Sequence, residues 1–343
     1  MPGIYDTATL NRVVERLYPL PTLFLDTFFP EVVTSDKEEI YFDVVEGKPR
    51  IAPFVHPLRQ GKLVEDLGYS TKSFKPAYVK DKRVHNPLKA LKRRAGEAFN
   101  GSLSPEQRLQ AVLLSDLQDQ KDMLTRRLEV MAAEAILGAK QTILGDGFDA
   151  VVNFGRDASL TVVLAGAAKW DDGSKTNQTD DFETWSQLLL DKSGSGAGVV
   201  IMDIKAWKLL KKDANLTKLL DKQYKAGDGT KVDLAPRFRA EGAVYKGNIG
   251  DFELWVYSHT YVDNAGVTRN VMPDNTVLMA SASRVEGVRH YGAIMDLKAG
   301  LRPTEQFVKS WEEEDPSVRY LLSQSAPLMV PYRPNATLVV TVA

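Results

Sequence analysis

Residues 38–80 read EEIYFDVVEGKPRIAPFVHPLRQGKLVEDLGYSTKSFKPAYVK. The two ends predict strands, Glu39–Val45 going out and Ser73–Val79 coming back. Between them Pro49, Pro53, Pro57, Gly61 and Gly68 interrupt any regular element. The stretch is therefore expected to be a long two-stranded arm with an irregular tip. A lone ribbon is marginal in water, because it buries too little apolar area to offset the entropy of ordering it. Yet Ile40, Phe42, Val44, Phe54, Val55, Leu58 and Tyr69 are too apolar for a disordered linker. The arm needs a surface to lie on. Its own domain and a neighbouring copy of the same chain are the two candidates.

Composition bounds the rest. The chain has 343 residues, suggesting two or three subdomains. It is 43% hydrophobic and 26% charged, ordinary values for a globular protein. A net charge of −1 provides no global field for nucleic acid or an anionic membrane. The absence of cysteine excludes disulfides, thiol catalysis, iron–sulfur clusters and cysteine-ligated zinc. The start, MPGIYDTATLNRVVERLYPL, does not read as a secretory signal. No run approaches the roughly 20 apolar residues of a membrane span. The histidines (His56, His85, His259, His290) lie far apart in sequence.

Leu10, Val13, Val14 and Leu17 have helical spacing, and Pro19 and Pro21 end that piece. In TLFLDTFFP, Phe24, Leu25, Phe28 and Phe29 are expected on one side of a short turn. They are read as an arm that staples to a neighbour, an ordinary core plug being the alternative. Residues 72–94 are strongly basic, with Arg93 and Arg94 at the end. Such a run is a solvated face or pairs with acidic neighbours; polyanion contact is the other reading.

The clearest helix follows. Ser104 is its N-cap, Pro105 its first residue, and Gln107 completes a capping box. Leu109, Val112, Leu113, Leu117, Leu124, Leu128, Met131 and Ala135 form one stripe, and Gly138 stops the helix. At 1.5 Å per residue this spine is about 50 Å long. Gln110, Asp116, Gln118, Lys121 and Arg127 make the polar face. Residues 146–270 read as a separate α/β subdomain, in which Val199–Ile204 is a buried strand. Strands dominate from Pro273 onward.

Motifs that carry chemistry are few. SGSGAG at 193–198 precedes a strand and lacks the ending of a phosphate loop. The Asp/Asn-rich stretch 170–181 lacks calcium-loop spacing. Glu312–Asp315 reads as a surface run that could pair with a neighbour's basic segment. No nucleophile, metal-protease or histidine–carboxylate motif is present, so no catalytic residue, cofactor or metal is expected.

Several motifs in order resemble a known family. They are FLDTFF at 24–29, the arm itself, HNP at 85–87, GVVIMDIKAW at 198–207, MPDNTVLMA at 272–280, GVRHYGAIMD at 287–296 and QSAPLMVPYRPNATLVVTVA at 324–343. The chain resembles tailed-phage major capsid proteins, more narrowly the lambda-like phage major capsid protein E family. The resemblance implies an α+β, HK-ninety-seven-like capsid fold. Residues 1–37 would be an N-terminal arm and 38–85 the extended E-loop. Residues 86–145 and 271–324 would form a peripheral domain with spine helix 104–138, and 146–270 and 325–343 an axial domain. It further implies self-assembly as pentamers and hexamers into an icosahedral head around double-stranded DNA, through a procapsid that expands. Scaffolding protein, portal and a decoration protein would be partners, and the location would be the virion, with assembly in the host cytoplasm. Lys48, Lys62 and Lys72 lie in the arm, but covalent crosslinking is not expected. Assembly contacts are expected at Phe24, Phe28, Phe29, Phe42, Phe54, Arg59, Lys62, Glu65, Tyr69, Arg93 and Arg94. Competing readings are an encapsulin-type cellular shell, a small-molecule enzyme built on 146–270, and a DNA-binding module built on 72–94.

Overall fold

The computed structural model describes residues 5–37, 39–46, 68–74, 76–86, 92, 104–145, 148–173, 175–213, 215–216, 220–221, 223–225, 231–233, 242–263, 265–315 and 317–343. Helix α1 (Thr7–Arg16) is capped by Asp6, whose carboxylate accepts the Ala8 N–H at 3.2 Å. Its Leu10 and Val14 are buried against Leu113, Leu117, Val308 and Leu321. A short second helix, α2 (Phe24–Phe28), follows.

Helix α3 (Pro105–Leu137) is the predicted spine. Its capping box is complete: Ser104 Oγ accepts the Gln107 N–H at 3.2 Å, and Gln107 Oε1 accepts the Ser104 N–H at 2.9 Å. The predicted stripe is buried from Leu113 through Leu117, Leu124, Leu128 and Met131 to Ala135. The polar face is also used. Lys121 Nζ donates to the Val14 and Leu17 carbonyls at 2.8 and 2.6 Å, satisfying the end of α1.

A seven-stranded sheet lies beyond the spine. Its order is Thr161–Val163, Thr337–Thr341, Thr276–Ala280, Val199–Met202, Phe252–Tyr257, Ala243–Ile249, Leu220–Asp221. Helices α4 (Asp180–Ser193) and α5 (Ile204–Leu210) contribute to the core on one face, with Trp170, Phe182 and Trp185 packed ring against ring. The other face joins the core that holds α2 and α3. The strand Val199–Met202 shows why its apolar run is continuous. Val200 and Met202 enter the first core and Ile201 the second, so neither face can be polar.

This sheet corrects the expected division of the chain. Thr276–Ala280 pairs with Val199–Met202 on one side and Thr337–Thr341 on the other. It therefore sits inside the sheet assigned to 146–270 and 325–343. Conversely, Pro327–Pro331 pairs with Gly287–Tyr291, in a three-stranded sheet completed by Glu31–Thr34. Both strands are apolar and short, so their own residues cannot say which sheet they enter.

Gly287 is required by close approach. A Cβ there would stand 2.1 Å from the Phe28 carbonyl oxygen and 2.7 Å from Phe29 Cδ1. Gly287→Ala is expected to destabilise the fold by about 3 kcal/mol, the upper range for forcing a methyl into a packed core. Urea titration checks it.

A third unit, an antiparallel sheet of Phe307–Glu313, Val318–Ser325 and Val79–His85, covers α1 and part of α3.

Candidate assembly surfaces

The arm forms as a ribbon, with a corrected return. Ile40–Glu46 pairs antiparallel with Gly68–Phe74, from Ile40 opposite Phe74 to Glu46 opposite Gly68. The expected return, 73–79, lies too far along the chain. Pro76 has no N–H to give a ladder, so pairing stops at Phe74 and a new strand opens at Val79. Among the described residues these two strands pair only with each other. At the root, Ile40 is buried in the main core and Phe74 packs against it. Phe42 is in register with Lys72, and Tyr69 with Val45. Phe54, Arg59, Lys62, Glu65, Arg93 and Arg94 lie outside the described residues.

Phe24, Phe28 and Phe29 are not a staple to a neighbour. All three are buried in the chain's own core, Phe24 against the rings of Phe28 and Tyr257. The ordinary core plug is the correct reading. These residues act indirectly, by fixing the segment that leads into the arm. Phe29 is followed by the strand Glu31–Thr34, which runs parallel to Gly287–Tyr291. Arg289 Nε donates to the Phe29 carbonyl at 2.6 Å.

The residue that binds these parts was not legible as such. Glu129 on α3 is 1% exposed. Its Oε1 accepts the Leu23 and Phe24 N–H groups at 3.0 and 2.9 Å and the Tyr257 hydroxyl at 2.8 Å; Oε2 accepts the Leu25 N–H at 2.9 Å. One carboxylate thus satisfies the start of α2 and ties it to the spine and the central sheet. Burial raises its pKa above the usual carboxylate range, against the pull of these four donors. The signal available in sequence is a glutamate inside an apolar helical stretch, LEVMAAEAIL at 128–137.

Arg156 closes the other end of the spine. Its guanidinium donates to the Ile136 and Leu137 carbonyls, both at 2.8 Å, and to the Thr337 and Thr161 hydroxyls at 3.2 and 2.9 Å. A cation here also meets the negative end of the helix dipole. Burial lowers its pKa to about 10, so it remains charged at neutral pH. Arg156→Ala is expected to lower stability by about 2–4 kcal/mol, because buried carbonyls lose a charged donor. Arg156→Lys should recover only part of this, since one ammonium cannot reproduce the fork. Denaturant midpoints of the two variants decide it.

The basic stretch 72–94 is partly explained by pairing. Within Val79–His85, side chains alternate between faces. Arg83 meets Asp81, Asp116 and Asp119 at 3.1, 3.2 and 2.6 Å, and His85 Nε2 lies 2.7 Å from Asp116. The strand's inward charges are thus matched to the acids of α3. On the open face Lys82 Nζ stands 3.8 Å from the Tyr320 ring centre. Among the described residues no three His, Cys, Asp or Glu side chains group as metal ligands. No helix among them is long and apolar enough to cross a membrane.

A crystal structure from Escherichia coli CFT073, described as a prophage capsid protein, superimposes with a TM-score of 0.74 at 24% identity, covering 97% of this chain and 96% of that one. The capsid of Ralstonia phage GP4 superimposes with a TM-score of 0.52 at 12% identity, covering 94% and 91%. The fold is therefore that of phage capsid shell proteins, α+β as expected. The profile of the family phage major capsid protein E matches residues 6–342, and the chain belongs to that family. It is similar to the major capsid protein of Escherichia phage N15, 32% identical with 96% of each chain covered. It is also similar to the major capsid protein of Escherichia phage lambda, 31% identical with 96% of each covered. The chain is a structural protein of the virion shell, not an enzyme.

Proposed function

We propose that the chain assembles as pentamers and hexamers into an icosahedral head enclosing double-stranded DNA, through a procapsid that expands. The observation carrying this reading is the ribbon Ile40–Glu46 with Gly68–Phe74, which pairs only with itself among the described residues yet is rooted in the core. A thin ribbon of this kind gains stability by lying on a second copy. Residues 1–37 serve as an N-terminal arm and 38–85 as the extended loop. The spine joins a peripheral unit to an axial unit built on the seven-stranded sheet. Scaffolding protein, portal and a decoration protein are the partners, and packaged DNA is met without sequence preference. Many modest contacts repeated by symmetry hold the shell. The assay is light scattering of the purified chain. Closed particles of uniform radius are expected; a species that stays at the mass of one chain at all concentrations contradicts the proposal.

A further inference from the structure

The loop between Gly287–Tyr291 and Phe307–Glu313 exposes unusual apolar surface. Leu297 is 90% exposed, Met295 54% and Leu301 55%. The loop is firmly held. The Tyr78 hydroxyl donates to the Ala293 carbonyl at 2.6 Å and accepts the Met295 N–H at 3.1 Å. The Asp296 carboxylate accepts the Lys298 N–H at 2.9 Å, the Gln324 side-chain amide at 3.1 Å, and the Lys309 ammonium. Leu301 adopts φ 56, a left-handed conformation uncommon for leucine. Lys298 and Arg302 flank the apolar group. Both are exposed, and among the described residues neither has a carboxylate partner. A rigid apolar knuckle rimmed by cations is the form of a preorganised anchor.

Its complement stands at the far end of the same strand. The turn after Phe307–Glu313 carries Glu314 and Asp315, both exposed and without a cation among the described residues. Beside it, Trp311, Tyr320 and Val84 align in one row across the three strands. Trp311 and Tyr320 have ring centres 5.3 Å apart and are half-buried, the Lys82 ammonium lies over both rings and that of Lys309 over Trp311, and Val84 at the edge of the row is among the exposed hydrophobics. This row belongs to the face opposite Val308 and Leu321, which are buried on α1 and α3. Strand geometry separates knuckle and acidic turn by about 20 Å, so they cannot meet within one chain.

We propose that the knuckle 293–303 of one copy seats on the Trp311–Tyr320–Val84 row of a neighbouring copy, with Lys298 and Arg302 against Glu314 and Asp315. The occupant is a second copy because the knuckle's exposed leucines match the exposed Val84 edge of the row, and its two cations match the two carboxylates of the turn, all four free among the described residues. Two different patches on one hairpin make a head-to-tail contact, which continues from copy to copy instead of stopping at a pair. The proposal rests on the shell reading above and names one of its interfaces.

The test uses the full chain, with wild-type shell yield as the reference. Absence of wild-type shells would overturn the shell reading, and this contact with it. Given wild-type shells, Lys298→Glu with Arg302→Glu, and separately Glu314→Lys with Asp315→Lys, should each cut sedimenting shells about tenfold or more. Melting temperatures should be unchanged, since these side chains are exposed. Combining all four substitutions should restore most of the yield. Normal shells from either pair, or no recovery in the combined chain, would overturn the contact. Because the chain has no cysteine, Leu297→Cys with Val84→Cys offers a second readout. Oxidised shells should give chain-to-chain disulfides on a non-reducing gel, and single chains only would count against the proposal.

Discussion

Replacing residues 50–67 with a short glycine–asparagine linker is expected to leave a soluble, folded subunit that forms no closed shell. The root of the arm is retained, because Ile40 and Phe74 pack in the main core. The shortened chain keeps this root, so the melting temperature should shift by no more than about 2 °C, the effect of roughly 1 kcal/mol. Assembly is different. A contact of about 3 kcal/mol per neighbour, lost at every subunit, lowers each association step by roughly a hundredfold. Shell closure multiplies that loss over many joints. Circular dichroism and sedimentation separate the two effects. Normal particles from the shortened chain would refute the role given to the arm.

Glu129→Ala is expected to be the most destabilising single substitution in the segment leading to the arm. It leaves the N–H groups of Leu23, Phe24 and Leu25 and the Tyr257 hydroxyl without their acceptor in a site closed to water. Removing one partner from a buried charged network typically costs about 3–5 kcal/mol. Glu129→Gln keeps an acceptor in the Oε1 position, where three of the four donors converge. It places an amide N–H against the Leu25 N–H, so about 1–3 kcal/mol is expected. Tyr257→Phe removes one donor and should cost about 1 kcal/mol. This order, Ala worst, then Gln, then the Tyr257 variant, is measured by urea titration at neutral pH. A Glu129→Ala chain within 1 kcal/mol of wild type would show that α2 is held by its phenylalanines alone. The link to assembly is direct. With α2 loosened, the strand Glu31–Thr34 and the arm that follows it lose their fixed exit, so shell yield should fall more steeply than stability.

What could be read from sequence follows physical locality. The spine was legible because its signals are local: Ser104, Pro105 and Gln107 start it and Gly138 stops it. The outgoing strand of the arm was legible by its alternation. The returning strand was misplaced because hydroxyl residues in Gly68–Phe74 look like loop, whereas Ala77–Val79 looks like strand. The basic run 72–94 was legible as a solvated face or as a partner of acidic neighbours, and Arg83 does pair, but its partners Asp116 and Asp119 lie on another element and could not be named from sequence. Sheet order was out of reach. Nothing in Thr276–Ala280 itself shows that it lies between strands at 199–202 and 337–341. Glu129 and Arg156 were missed for the same reason: each is recognised by backbone groups far away in sequence that converge on it only in the fold. Phe24, Phe28 and Phe29 were recognised as apolar but sent to the wrong surface, since apolarity does not say whose core a side chain enters.

The proposed shell requires the arm to lie on a neighbouring copy. Electron cryomicroscopy of particles formed by the full chain, at a resolution that traces the backbone, tests it most directly. The arm between Glu46 and Gly68 should be found against an adjacent subunit, with its root at Ile40 and Phe74 as described. An arm folded back onto its own subunit within intact shells would contradict the account.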